Sequence, residues 1–225
     1  MQYRSIAIDG PAGAGKSTLA RQAAKKLGFL YVDTGAIYRT VTLRAINAGA
    51  DVSDPAQVVP LLADMDIRMD YGPDGEQRMF LDGADVSAAI REHRVSGLAS
   101  KVSAIPEVRD FLLDFQRRLA LENDVLMDGR DIGTVVLPGA DVKIYLTAAA
   151  EARAKRRLLD LESRGQTADY ETILRDIIQR DEQDMNRPIA PLRQAEDAVL
   201  LDTTELNLEE SLVAMLAIIK EKIDL

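Results

Sequence analysis

Residues 7–20 read AIDGPAGAGKSTLA, and the part from Gly10 to Ser17 fits the pattern G-x-x-x-x-G-K-[ST]. Glycines in such a loop let backbone N–H groups point inward around phosphate oxygens, where side chains would obstruct them. In this pattern the lysine reaches the β- and γ-phosphates, and the final hydroxyl can ligate Mg²⁺. The loop also opens a helix, whose positive dipole end points at the anion. We therefore predict an ATP-binding loop made of Gly10, Pro11, Ala12, Gly13, Ala14, Gly15, Lys16, Ser17 and Thr18.

The composition of the chain is that of a soluble globular protein. It has 225 residues, of which 47% are hydrophobic and 29% charged, with a net charge of −9 and no cysteine. The length fits one α/β domain over residues 1–225. No run has the length of a membrane span, no signal peptide is evident, and a disulfide framework or thiolate metal site is excluded. We expect a cytoplasmic protein that binds neither nucleic acid nor membranes, because its charge is acidic.

Short apolar runs alternate with longer amphipathic stretches along the chain. This pattern indicates an α/β fold, in which a parallel sheet is flanked by helices. We predict buried strands at Ser5–Ile8, Leu30–Val32, Val125–Met127, Val142–Leu146 and Val199–Leu201. Beyond the helix that follows the glycine loop and stops at Gly28, we predict helices near Ile37–Ala48, Val108–Leu121, Ala149–Leu161, Tyr170–Gln183 and Leu208–Lys222.

Residues 66–86 depart from the α/β pattern. They alternate apolar and polar side chains on both sides of Gly-Pro-Asp-Gly, which is a turn sequence. Period-two alternation around such a turn predicts a β-hairpin. We interpret this hairpin as a small inserted subdomain at the rim of a cleft.

Motifs that the sequence lacks exclude several classes of protein that transfer the γ-phosphoryl group of a nucleotide to water. A switch GTPase is expected to carry N-K-x-D and D-x-x-G, and a transporter ATPase L-S-G-G-Q, and none of these strings occurs. The chain is also short for a mechanical ATPase. These absences favour a kinase that acts on a small molecule.

Two further segments follow predicted strands, at the edge where open α/β sheets bind ligands. In DTGAIYR (33–39), Arg39 has no evident carboxylate partner and could clamp a phosphate, with the flat face of Tyr38 beside it. Taken alone, this segment is better explained as an ordinary strand-to-helix loop with a solvated arginine. In VLMDGRDIGT (125–134), Asp128 ends a strand, where an acid can orient Mg²⁺ through water. Its neighbours Arg130 and Asp131 could belong to the site or form a surface pair.

Five segments together resemble the bacterial cytidylate kinases, a family of nucleoside monophosphate kinases. They are IDGPAGAGKST (8–18), DTGAIYR, DVSAAIR (85–91), DGRDIGT (128–134) and RDEQDMNRPIAPL (180–192), in the order of that family. The resemblance runs from about Ile6 to Asp202. It implies one kinase domain of the P-loop NTPase type with a central five-stranded parallel sheet. It also implies a monophosphate-binding insertion at 63–95 and a helical lid at 153–168.

The resemblance also assigns roles to the acceptor-side residues. Arg39, Arg130 and Arg187 would hold the acceptor phosphate, Ser100, Arg109 and Asp131 would contact the base, and Arg180 and Asp184 would lie near the ribose. Without the family pattern, Arg180 and Asp184 could equally be an ordinary helix pair. The whole CMP site that we predict comprises Thr34, Tyr38, Arg39, Ser100, Arg109, Arg130, Asp131, Arg180, Asp184 and Arg187.

The choice of base also has a physical rationale. Cytosine presents an N4 amino donor beside two acceptors, so the Asp131 carboxylate and a donor group complement it. Uracil has a carbonyl at position 4, which would face the carboxylate lone pair to lone pair. Such an unpaired, desolvated contact costs about 1–3 kcal/mol, which is enough to rank CMP above UMP.

In EARAKRRLLDLESRG (151–165), Arg153 and Arg157 stand at i, i+4, with Lys155 between them. A basic, solvated helix face explains Lys155. For the two arginines we favour a role in catalysis, because arginines stabilise the charge that develops on a transferred phosphoryl group.

We therefore predict transfer of the γ-phosphoryl group from ATP to CMP, with dCMP also accepted, in pyrimidine nucleotide metabolism. Mg²⁺ would bind Ser17 directly and Asp128 through water, and the protein would be a monomer. Another acceptor, such as UMP or a non-nucleotide, and a P-loop binding protein or assembly factor are the alternatives. The catalytic residues that we predict are Lys16, Asp128, Arg130, Arg153 and Arg157.

Overall fold

The parallel sheet expected from the apolar runs is present in the computed structural model, which describes residues 3–163 and 165–223. All five predicted strands are confirmed. Four extend one residue further at the carboxyl end, and the strand predicted at Val125–Met127 extends two. Three more strands form a separate antiparallel sheet. The strands are β1 (Ser5–Asp9), β2 (Leu30–Asp33), β3 (Ile67–Tyr71), β4 (Gln77–Leu81), β5 (Ala84–Asp85), β6 (Val125–Gly129), β7 (Val142–Thr147) and β8 (Val199–Asp202).

The six helices expected from periodicity are confirmed, and three single-turn helices that the pattern did not predict lie among them. The helices are α1 (Lys16–Leu27), α2 (Thr34–Asn47), α3 (Pro55–Val58), α4 (His93–Ser96), α5 (Ala99–Val102), α6 (Pro106–Glu122), α7 (Ala150–Ser163), α8 (Tyr170–Asn186) and α9 (Leu208–Lys222). Within the part of the chain that the structure describes, no helix is both long and apolar enough to cross a membrane.

The chain divides into two compact units. The first comprises Met1–Tyr31 with Glu122–Leu225, and the second comprises Val32–Leu121. The predicted limits of the kinase domain (1–225), the insertion (63–95) and the lid (153–168) stay predictions. Residues 1, 2, 164, 224 and 225 of those ranges lie outside the described residues.

The order of strands in the parallel sheet is β2-β6-β1-β7-β8, which places β1 at the centre. Strand β1 pairs in parallel with β6 on one side, from Ser5 opposite Val125 to Asp9 opposite Gly129. It pairs with β7 on the other side, also in parallel. Because parallel strands end at the same edge, the loop that starts at Gly10 and the loop that starts at Arg130 leave the sheet side by side.

The core of the first unit is apolar on both sides of its strands. On one face Ile6, Ile8, Leu126, Ile144 and Leu146 are almost wholly buried, and on the other Ala7, Val125 and Met127 are, as expected for a parallel sheet covered on both faces. Helices α1 and α9 pack against each other there. The side chains that they bury include Leu19, Ala20, Ala23, Met215 and Ile219.

In the second unit, the predicted hairpin is confirmed. Strands β3 and β4 are antiparallel with Tyr71 opposite Gln77, and the Gly-Pro-Asp-Gly turn joins them. Gln77 also fixes the start of α2, since its Oε1 accepts from the Asp33 N–H at 2.8 Å. Helix α2 begins at Thr34, three residues before the predicted start, because the Asp33 side chain caps it by accepting from the Ala36 N–H.

Gly10 occupies a point where only glycine fits. Its φ is +147°, and a Cβ added there would lie 1.9 Å from the Leu146 carbonyl oxygen on β7. That oxygen is backbone and cannot rotate away. The close approach therefore sets the path by which the chain leaves β1 and enters the phosphate loop.

We expect Gly10→Ala to lower the free energy of unfolding by at least about 3 kcal/mol, because backbone strain adds to the overlap with Leu146. Urea denaturation followed by circular dichroism measures the loss. Gly139→Ala is the matched control, since a Cβ there meets nothing within 4 Å and the backbone is unstrained. A loss in Gly10→Ala no larger than in Gly139→Ala would contradict the steric argument.

Candidate active site

The predicted phosphate loop connects β1 to α1 and has the backbone of an anion-binding turn. Gly13 has φ +75° and Gly15 has φ +88°, so both adopt left-handed conformations that favour glycine. Gly15 stands at the N-cap of α1 without a side-chain cap. The first N–H groups of the helix are thus left for a ligand.

Lys16 is buried at the first position of α1, and its Nζ donates to the Pro11 carbonyl at 2.8 Å. Burial, aided by the Arg130 guanidinium, lowers the pKa of Lys16 to about 7, while the carboxylates of Asp128, Asp9 and Asp184 oppose the shift. A phosphate beside Nζ would raise the pKa again, because an opposite charge favours the ammonium form. A phosphate at this point would therefore offset the cost of burying the lysine charge.

Ser17 and Asp128, predicted as Mg²⁺ ligands, are in contact. The Ser17 hydroxyl donates to Asp128 Oδ2 at 2.9 Å, and the Tyr31 hydroxyl donates to Asp128 Oδ1 at 2.9 Å. A hydroxyl and a carboxylate held together at the mouth of the loop fit the oxygen ligands that Mg²⁺ prefers. Over residues 3–163 and 165–223, no group of three or more His, Cys, Asp or Glu side chains could hold a metal ion.

Two ion pairs, each with a buried carboxylate, join the loop after β6 to the end of α8. Arg130 Nε donates to Asp184 Oδ2 at 2.8 Å, and Arg187 Nη2 donates to Asp131 Oδ1 at 3.2 Å. The structure thus brings four of the predicted CMP-site residues together in the first unit. The alternative of an Arg130–Asp131 surface pair is wrong, because each of the two side chains contacts another residue. The alternative of a helix pair between Arg180 and Asp184 stays a prediction. Arg180 is half-buried on α8, one turn before Asp184.

The expectation that Arg39 lacks a carboxylate partner is wrong. Its Nη2 donates to Asp33 Oδ2 at 2.8 Å. Asp33 is the N-cap of α2 and Arg39 lies in the second turn, so the long side chain reaches back to the capping carboxylate. The contact keeps the guanidinium at the start of the helix.

The other predicted CMP-site residues of the second unit lie on α2, α5 and α6. The Arg109 guanidinium is 5.6 Å from the centroid of the Tyr38 ring and donates to the Ser103 carbonyl at 3.1 Å. Thr34 is buried at the first position of α2, and Ser100 is half-buried on α5. The structure therefore brings together Tyr38 and Arg109.

The two lid arginines differ sharply in environment. Arg153 is 4% exposed, and its guanidinium donates to both oxygens of Asp181 on α8, with 3.1 Å between Nη1 and Oδ1. Nη1 also donates to the Ala12 carbonyl of the phosphate loop at 2.9 Å. Arg157 points to solvent and lies 3.5 Å from Asp160. Lys155 is exposed, as expected.

The sequence analysis did not single out three carboxylates that form hydrogen bonds with the predicted arginines or with a backbone segment of the site. They are Asp9, which accepts two backbone N–H groups; Asp33, which holds Arg39; and Asp181, which holds Arg153. Asp9 and Asp33 each stand at the end of a predicted strand, a position that could have drawn attention to them. Nothing in the local sequence distinguishes Asp181 from other acids of α8.

The fold and the loop together define a class. A glycine-rich loop that follows the central strand of a parallel sheet and opens a helix is that of a P-loop nucleotide-binding protein. In agreement with the fold, a solved structure of an uncharacterized protein from Eubacterium ventriosum aligns over 98% of this chain and 99% of its own, with a TM-score of 0.53 and 12% identity.

Comparison with known proteins identifies the family. The model of the family described as cytidylate kinase matches residues 6–221. A cytidylate kinase of Carboxydothermus hydrogenoformans is 50% identical over 219 residues, covering 97% of this chain and 98% of that protein. One of Caldicellulosiruptor bescii is 50% identical over 216 residues, covering 96% and 95%. The chain belongs to the cytidylate kinase family, as the sequence resemblance predicted.

We expect Asp181→Asn to lower the free energy of unfolding by about 3–5 kcal/mol, because it leaves the Arg153 charge buried without compensation. Asp160→Asn removes the carboxylate of the exposed pair with Arg157, whose side chains are 52% and 38% exposed, and should cost less than about 1 kcal/mol. Urea denaturation at one pH compares the two variants. Equal losses would show that burial does not distinguish these two pairs.

Proposed function

We propose that this protein transfers the γ-phosphoryl group of ATP to CMP, giving ADP and CDP, and that it accepts dCMP as well. The observation that carries the proposal is the arrangement of the first unit. The phosphate loop with Lys16 and the loop with Arg130 and Asp131 leave adjacent strands at one edge of the sheet. A donor site and an acceptor site side by side are what phosphoryl transfer between two nucleotides requires.

No covalent enzyme intermediate is needed, because an oxygen of the acceptor phosphate is already an anionic nucleophile. The contribution of the protein is to hold two mutually repelling anions in line and to neutralise them. Lys16 supplies positive charge at the β- and γ-phosphates. Arg130 is held by Asp184 through Nε and by the Gly129 carbonyl through Nη1, so Nη2 is the guanidinium nitrogen offered to a phosphate.

Ser17 and Asp128 are the residues that would hold Mg²⁺, Ser17 directly and Asp128 through water. When bound, the ion supplies charge that stabilises the transferring phosphoryl group. The contact between the Ser17 hydroxyl and the Asp128 carboxylate supports this proposal, since it places both oxygen groups next to the phosphate loop.

On the acceptor side, we assign the phosphate to Arg39, Arg130 and Arg187, and the base to Ser100, Arg109 and Asp131. Thr34, Tyr38, Arg180 and Asp184 complete the proposed CMP site. The contact of Asp131 with Arg187 supports its role, because a carboxylate held by a guanidinium is an oriented acceptor for the cytosine amino group.

The proposed lid is residues 153–168 and the proposed monophosphate-binding insertion is residues 63–95. Arg153 already donates to the carbonyl of Ala12 in the phosphate loop, which supports a role for this arginine beside the donor phosphates. Arg157 would join it when ATP is bound. We further propose a monomeric, cytoplasmic protein that serves pyrimidine nucleotide metabolism.

A second candidate is a P-loop protein whose bound ATP controls its affinity for a partner. It accounts for the phosphate loop but gives no role to Arg130 and Arg187, whose pairing with Asp184 and Asp131 builds a second polar site. A coupled assay of ADP release with CMP, dCMP, UMP and AMP separates the candidates. ADP release that no acceptor stimulates would favour the binding protein.

We expect Lys16→Ala to lower kcat for CMP phosphorylation by about 10³-fold, because the charge at the β- and γ-phosphates is lost. The coupled assay gives the rate, and circular dichroism checks the fold. Lys25→Ala, which removes an exposed lysine from the same helix, should retain full activity. Turnover near that of the wild type in a folded Lys16→Ala protein would reject the phosphoryl-transfer proposal.

We expect Asp131→Asn to reduce the ratio of kcat/KM for CMP to kcat/KM for UMP. The substitution keeps the size of the side chain but adds an amide that can donate to the uracil carbonyl at position 4. A change of about 10-fold corresponds to the 1–3 kcal/mol cost of one unpaired buried group. Asp141→Asn, at an exposed aspartate near β1, is the control. An unchanged ratio would leave the kinase proposal standing but reject this account of base selection.

A further inference from the structure

Asp9 is the last residue of β1, directly before the phosphate loop, and its side chain is buried. Its Oδ1 accepts from the Ile132 N–H at 2.7 Å, and its Oδ2 accepts from the Gly133 N–H at 2.7 Å. Both oxygens of one carboxylate are therefore bonded to consecutive backbone groups of another segment. The proposed chemistry gives this side chain no role.

The segment that Asp9 holds begins directly after Arg130 and Asp131. Residues Ile132–Val136 form a single π-helical turn, and Asp9 bonds to its first two N–H groups. The register between β1 and β6 ends where Asp9 lies opposite Gly129. Beyond that point the backbone hydrogen bonds between the two strands end. The side-chain hydrogen bonds of Asp9 then connect the two loops that leave the strands.

The contact is tightly packed. A Cβ on Gly133 would lie 3.3 Å from Asp9 Oδ2 and 3.1 Å from Lys143 Cδ, so glycine lets the backbone come between the two side chains. Lys143 is fixed in turn, since its Nζ donates to the Pro138 carbonyl at 2.6 Å and to Asp197 Oδ2 at 2.8 Å. The Gly133 backbone is therefore closely packed on two sides.

At this buried position the Asp9 carboxylate loses its hydration, which disfavours the charged form of the acid. Burial raises the pKa of Asp9 to about 6, and the hydrogen bonds from Gly133 and Ile132 oppose that rise. Those two bonds, together with the charge of Lys16, therefore favour the ionised form of the acid.

We propose that Asp9 is a positioning residue for phosphoryl transfer. It fixes the distance between the phosphate loop, which follows it in the chain, and the Arg130–Asp131 segment, which it holds through Ile132 and Gly133. This inference rests on the proposed function. A displacement of about 1 Å between reacting groups can cost about 100-fold in rate, so the contact bears on the chemical step more than on the binding of either nucleotide.

The test compares Asp9→Asn with wild type in kcat, KM for CMP and the Kd of a non-hydrolysable ATP analogue. Asn keeps the shape but turns one acceptor into a donor that faces a backbone N–H. We expect kcat to fall about 10–100-fold and the Kd of the analogue to change less than about 3-fold. Asp141→Asn is the matched control, because its Oδ2 accepts from the Ser5 N–H at 2.7 Å at the other end of β1. It should leave kcat unchanged.

An NMR measurement follows the contact itself. The backbone amide signals of Ile132 and Gly133 should move in Asp9→Asn and exchange faster with solvent, and those of Ser5 should not. Moved amides with an unchanged kcat would overturn the positioning role, and unmoved amides would overturn the contact. A parallel loss of analogue binding would show that Asp9 only supports the phosphate loop.

Should Asp9→Asn fail to fold, Gly133→Ala disturbs the same contact from the other side, with Gly139→Ala as its control. The same fall in kcat with retained analogue binding is expected, and an unchanged kcat would overturn the proposal. Failure of the proposed function is a separate result, since a wild-type protein that phosphorylates no CMP would reject that function by itself.

Discussion

At the carboxyl edge of the parallel sheet, the arrangement of the side chains depends on the need to pair buried charges. Charged side chains removed from water are stable only when they meet opposite charge or hydrogen-bonding groups. Lys16 meets the Pro11 carbonyl, Arg130 meets Asp184, Arg187 meets Asp131, and Arg153 meets Asp181. In an acidic chain of net charge −9, this pairing holds four cations in the first unit without leaving any of them unsatisfied.

The pairing also explains how the site can receive anions. A guanidinium held through one edge keeps its orientation and offers another edge to a phosphate, so little side-chain entropy is lost on binding. Asp184 holds Arg130 in this way through Nε. Lys16, whose pKa burial lowers, would recover its charge when a phosphate arrives, so its interaction with the anion and its protonation favour each other.

Glycine and carboxylate act together where the loops leave the sheet. Gly10 passes within contact distance of β7, and Gly133 passes between Asp9 and Lys143. The Asp9 carboxylate accepts from the Gly133 N–H, so it holds the segment of Gly133 to β1, the strand that Gly10 follows. A proposed phosphoryl-transfer site of this kind depends on backbone placement as much as on its arginines, because backbone position fixes where each guanidinium begins.

The sequence by itself determined the features that depend on local spacing. The phosphate loop, the five strands, the six longer helices and the hairpin at 66–86 follow from motif, periodicity and turn residues within windows of about 20 residues. The ordered motifs were enough to predict the family and a candidate site that includes Lys16, Ser17 and Asp128.

Only the tertiary structure decided which charges pair. Arg130 and Asp184 are 54 residues apart, Asp131 and Arg187 are 56, and Asp9 and Ile132 are 123. These residues pair because the fold brings the ends of their strands and helices together. A pattern within a short window of sequence carries no information about such contacts.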